Sequence, residues 1–167
     1  VQGTRPDLAF MMTELSTKFR NAKISDYLTV KKVLVKAKTA KCEVFFPYLG
    51  SPKDWIIAVC ADASHGNLNG GVDSSMGYVV FIVNPQHHSS PSSWRSGKVK
   101  RVVRSTIAAE TLAMIEGLED GIYLQHSMKE LLGVEIPIVG YTDNQGQELA
   151  LKSTKLTDDR RLRIDIA

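Results

Sequence analysis

Residues 55–66 read WIIAVCADASHG. From Trp55 to Ala61 the run is apolar enough for a strand buried on both faces, yet it closes on a carboxylate, Asp62, followed by small, turn-forming residues. An isolated carboxylate carried out of a core is costly to bury, so Asp62 calls for a hydrogen-bond donor, a cation or a metal ion. The rest of the chain has to supply that partner.

Working outward, SMGYVVFIVN (75–84) reads as a second strand and SWRSGKVKRVVRS (93–105) as a third, with basic residues threaded through it. The segments between them, SHGNLNGGVDSS (64–75) and PQHHSSPS (85–92), read as polar connections. A long helix is expected from Ser105 to Leu132, ended by Gly133, with Ile107, Leu112, Ile115, Leu118 and Ile122 facing inward. Pro137 to Tyr141 forms a fourth strand leading to Asp143. A short helix, NQGQELALKS, follows, capped by Asp143 or Asn144. This order predicts the α/β class with a mixed sheet.

Toward the N-terminus the periodicity is helical. Thr4 and Asp7 suggest a capping box, Leu8, Met11, Met12, Leu15 and Phe19 recur at helical spacing, and Asn21 is the stop. A second helix runs from Ser25 through Ala37. Its Lys31, Lys32, Lys36 and Lys38 make either a solvated face or a phosphate contact. KCEVFFPYL (41–49) reads as a short strand ended by Pro47, and GSPKD (50–54) as a linker, which places a boundary near residue 50.

With 43% hydrophobic and 23% charged residues in 167, the chain is globular rather than disordered. No apolar run approaches the roughly 20 residues needed to span a bilayer, and the start lacks the apolar core of a signal peptide. A net charge of +3 identifies no partner. Cys42 and Cys60 are expected to be buried, unbridged thiols.

Three acids answer the opening problem. Asp62 and Asp143 end separate apolar strands, and Glu110 stands among small apolar residues in STIAAETLAM (105–114). If the first and fourth strands are neighbours, their ends bring Asp62 and Asp143 together, and the crossing helix offers Glu110 beside them. Such carboxylates repel unless a cation compensates, and magnesium suits an all-oxygen donor set. Each acid also has a plain structural role available: Asp62 in a turn, Glu110 as a helix N-terminal charge, Asp143 as a cap. Other features are set aside. His87 and His88 belong to a polar loop, His65 and Asp73 to turns, and GNLNGGVDSSMG opens a strand rather than a dinucleotide-binding helix. Ser105 lies in no nucleophile elbow.

VCADASHG, MGYVVFIV, SWRSGKVKRVVRSTIAAETLAM and VGYTDNQGQELAL, in that order, resemble the ribonuclease H domain of copia-type LTR retrotransposon Pol polyproteins. GTRPDLAFMMTELSTKF and KISDYLTVKKVLVKAKTA resemble the helices that end the reverse transcriptase portion. The resemblance implies a ribonuclease H-like mixed sheet over residues 51–167, lacking its last strand and helix. Residues 1–50 would be an N-terminal helical appendage of reverse transcriptase type. It implies hydrolysis of the RNA strand of an RNA–DNA hybrid with two magnesium ions, manganese being an alternative. Asp62 would bind both ions, Glu110 the one on the leaving-group side and Asp143 the one that activates water. A fourth acid of the family pattern has no match; Asp165, Asp158 and Asp159 do not carry its motif, which puts activity of this chain alone in question. Trp94, Arg95, Lys98, Lys100, Arg101 and Arg104 are the nucleic-acid-binding candidates. Implied partners are the hybrid and the reverse transcriptase portion, without a membrane, in an intracellular, cytoplasmic particle. The competing expectation is a non-catalytic remnant that still binds nucleic acid or a partner.

Overall fold

β1 runs from Ile56 to Leu68 in the computed structural model, which describes residues 4–68 and 71–144. It therefore continues through SHGNL, where sequence reading expects a connection. The reason is pairing: β2 (Asp73–Val83) lies antiparallel to it, with Ser64 opposite Ser75, and a register shift between Ser64 and Leu68 absorbs the glycine. Asn67 bridges the irregular stretch, donating Nδ2 to Ser75 Oγ at 2.8 Å and accepting from the Ser75 amide at 3.0 Å. His65, expected in a turn, is thus on the strand, with Nδ1 3.3 Å from Ser74 Oγ.

β3 (Ser89–Lys98) pairs antiparallel with β2. It begins inside the expected polar loop and ends before Lys100, Arg101 and Arg104, which belong to its connection to the helix rather than to the strand. The tight turn between β2 and β3 is built by Asn84, whose Oδ1 accepts from the amides of Gln86 and His88. His87 sits there at φ 62, so the two histidines are turn residues.

β4 (Ile138–Tyr141) lies parallel to β1 on its other side, giving the order β3-β2-β1-β4. The sheet is mixed, as expected for the α/β class. No strand forms in residues 41–49, where Phe45 and Phe46 stand exposed.

Two helices precede the sheet, α1 (Ala9–Thr17) and α2 (Ile24–Thr39). The expected capping box at Thr4 is absent; Asp7 instead takes the Arg5 guanidinium through Nε at 2.9 Å, and Pro6–Leu8 forms a 3-10 turn. α1 rests against β3, where Thr13 Oγ1 donates to Ser96 O at 3.0 Å. The appendage is therefore in contact with the sheet.

The long crossing helix, α3 (Thr106–Leu132), has the expected ends. Ser105 Oγ accepts from the Ala108 amide, and Gly133 closes the helix at φ 68. Its inward face is only in part the expected one, with Leu118 and Leu112 packed against the core clusters. Ala108, Ala109, Ala113, Met114, Gly117 and Gly121 are buried, whereas Ile122 is exposed and Ile107, Leu112, Ile115 and Leu118 are only partly covered. Close approach decides this. A Cβ on Gly117 would lie 2.7 Å from Val59 Cγ1, so only small residues fit against β1. Ile57, Val59, Tyr78, Val80, Met114 and Ile136 make the main core, between α3 and the sheet.

Candidate active site

The β1–β4 register places the two strand-end acids. Cys60 lies opposite Tyr141 in the last parallel pair, so Asp62 and Asp143 each follow two residues beyond it at the same end of the sheet. Helix α3 then brings its N-terminal turns to the same rim. Ala109 belongs to one buried cluster with Ala63 and Met76, so Glu110 follows a residue that shares its cluster with the neighbour of Asp62.

Glu110 differs from the other two. It is 9% exposed and its Oε2 has no hydrogen-bond partner among the described residues. Burial pushes its carboxyl above the ordinary range; a hydrogen bond from the Asn144 side chain pulls the other way, and the Asp143 and Asp62 carboxylates add to the rise. Asp62 and Asp143 are exposed. The three acids named from sequence thus lie toward one rim, with the charges of Asp62 and Asp143 reaching Glu110. Among the described residues, however, no three His, Cys, Asp or Glu side chains are arranged to hold a metal ion as a group.

The donor set fits a hard divalent cation in kind. All three groups offer oxygen, and a buried carboxylate oxygen with no donor is what such an ion would satisfy. A groove of about 510 Å³ leads away from Asp62 over the face of the sheet opposite α3, floored by Cys60, Ser64, Gly77 and Ser96 and walled by Trp94 and by Phe10 of α1. Cys60, expected to be buried, is exposed on this face, and neither cysteine is bridged.

No protein-family model matches the chain, and no curated protein matches it. Among solved structures, LC11-RNase H1, isolated from compost by a metagenomic approach, aligns with a TM-score of 0.44 at 18% identity, over 66% of this chain and 70% of that one. RNase H1 from the halophilic archaeon Halobacterium salinarum NRC-1 aligns with a TM-score of 0.41 at 21% identity, over 66% and 73%. The likeness is one of fold.

The basic candidates divide by partner. Arg95 Nη1 meets Glu116 Oε2 at 3.0 Å, Lys100 Nζ lies 3.8 Å from the same carboxylate, and Lys98 Nζ pairs with Asp73 at 2.6 Å. Arg101 also has an interaction, whereas Arg104 is exposed and makes no ion pair among the described residues. Trp94 is half-buried beside the groove.

Sequence reading missed Glu116, Asp120 and the contact of Asn144 with Glu110. Glu116 and Asp120 are one helical turn apart on α3 and face β3, where Asp120 accepts from Ser93 Oγ. Acids at i,i+4 after a basic strand were the available signal. The candidate fourth acids, Asp158, Asp159 and Asp165, and the helix expected at NQGQELALKS lie outside the described residues apart from Asn144.

Proposed function

We propose that this chain carries the active site of a ribonuclease H-type endonuclease from a copia-like retroelement polyprotein, cutting the RNA strand of an RNA–DNA hybrid. Asp62, Glu110 and Asp143 would hold divalent metal, magnesium or manganese. Bound there, such an ion supplies positive charge to the scissile phosphate and lowers the pKa of water. Glu110, fixed in the buried turn of α3, sets the position of the site, while the exposed Asp62 and Asp143 complete it from adjacent strand ends. Residues of β3 and its connection orient the substrate through phosphates, contacts that position a strand without reading its sequence. Recognition of the cut strand would come from its 2′-hydroxyls. Residues 1–50 would be the continuation of the reverse transcriptase portion onto the sheet. The observation that carries the reading is the unpartnered, buried Glu110 Oε2 beside two further carboxylates.

The test is cleavage of an end-labelled hybrid, in magnesium or manganese, by this chain extended with the last strand and helix of the ribonuclease H pattern, against chelator and against Asp62→Asn in the same extended protein. Metal-dependent cutting of the RNA strand alone, lost in Asp62→Asn, is the expected result. Cutting that survives chelation, or an Asp62→Asn protein as fast as the parent, overturns the metal assignment.

The absence of a ready three-ligand group among the described residues favours a second reading, a non-catalytic nucleic-acid-binding remnant. It predicts hybrid binding that weakens steeply with salt, with no cleavage in either metal even by the extended protein.

A further inference from the structure

α2 is anchored by one face only. Val33 is buried beneath it, Arg5 Nη1 donates to Ala37 O at 2.7 Å, and Asp26 lies 3.8 Å from Lys18 Nζ. On the other side Ile24, Tyr27, Leu28, Leu34 and Val35 are all more than half exposed, Ile24 at 83%. At helical spacing they form a stripe about 120° wide, the breadth of a face that elsewhere would enter a core.

Lys31 stands in the middle of that stripe, its Nζ 5.2 Å from the Tyr27 ring centroid. α2 carries Lys31, Lys32, Lys36 and Lys38 against one acid, Asp26, whose carboxylate already accepts from the Lys23 amide at 2.9 Å. The open face is therefore apolar and positive at once, and this combination selects among occupants. A second copy is disfavoured because Lys31 lies at the helix midpoint, so parallel or antiparallel pairing sets it against itself. A lipid surface is disfavoured because an interfacial helix keeps its cations on the polar face, not inside the apolar stripe. Nucleic acid would satisfy the lysines and leave the aliphatic side chains in water.

We infer that this face of α2 docks an amphipathic helix of a separate protein, with carboxylates set among its apolar residues. Such a helix buries the stripe and pairs Lys31 in the same step. The proposal does not require metal chemistry at Asp62, Glu110 and Asp143.

The probe is a labelled synthetic helix of leucine and glutamate heptads, titrated with the whole chain by fluorescence anisotropy. Its counterpart with lysine in place of glutamate, anionic phospholipid vesicles and an RNA–DNA hybrid are run in parallel. The acidic helix is expected to bind at least tenfold tighter than its basic counterpart. Leu34→Ser with Val35→Ser should cost tenfold or more, Lys31→Glu should reverse the preference, and Lys53→Glu, away from the face, should change nothing. Both serine substitutions are at exposed positions, and circular dichroism checks that α2 remains. The proposal is overturned if the acidic helix fails to bind, if Lys53→Glu matters as much as Lys31→Glu, or if the serine pair leaves binding intact. It is equally overturned if that pair abolishes only vesicle binding, hybrid binding or self-association.

Discussion

Glu110 concentrates the chemistry of one residue. Its carboxyl is raised in the folded chain, so between the ordinary carboxylate range and that raised value the folded state holds a proton the unfolded state has released. The stability this brings is fully present below the unfolded value and is lost as pH rises through the folded one. At pH 7 Glu110→Gln should therefore melt higher than the parent, and the gap should close in acid below the ordinary range. Added magnesium should stabilise the parent more than the variant, because only the parent keeps the charge a cation would compensate. Thermal melts of both proteins at several pH values, with and without magnesium, check this; a parent that melts higher at pH 7 without metal contradicts it. The sequence made Glu110 legible as an acid enclosed by small residues. It did not show that Asn144 would reach it, since that contact depends on how far β4 runs past its last pair.

At the scale of elements, helix ends were readable and helix faces only in part, Leu112 and Leu118 packing inward as expected. Ser105 and Gly133 act through their own backbone neighbourhood, so their roles can be read locally. The inward face of α3 is decided by how closely the helix sits on β1, and hydrophobic periodicity pointed to the larger side chains instead. Likewise β1 outran its apolar core because β2 supplied a partner for SHGNL, whereas KCEVFFPYL, despite its strand composition, forms no strand. Gly117→Ala tests the close approach. Its Cβ would meet Val59 Cγ1 at 2.7 Å and Tyr78 Cβ at 3.2 Å, an overpacking worth about 1–3 kcal/mol that outweighs the roughly 1 kcal/mol alanine gains in a helix. Urea unfolding should show a net loss on the order of 1 kcal/mol. Gly121→Ala, with its nearest contact at 3.0 Å, should lose less. A stabilised Gly117→Ala would mean that α3 stands further from the sheet.

Across the whole molecule, charge is arranged more evenly than the basic run of β3 suggests. Arg95 and Lys100 share Glu116, and Lys98 pairs with Asp73, so part of the positive field on that edge is cancelled within the fold. The neutralising acids come from α3 and β2, which is why the run read alone looked like an open phosphate site. Pairs of this kind, whose cations are largely exposed while the acids are partly covered, compete with phosphate for the same cations. If a hybrid lies along this edge, Glu116→Gln should release Arg95 and Lys100 and tighten binding several-fold at low salt. The slope of log affinity against log salt should then steepen by about one to two phosphate contacts. Arg104→Ala should weaken binding more than Lys98→Ala, because Arg104 has no internal ion pair among the described residues to give up first. Anisotropy titrations with a labelled hybrid over a range of salt concentrations measure all three. An unchanged slope in Glu116→Gln, with equal losses in the other two, would place the nucleic acid on another face.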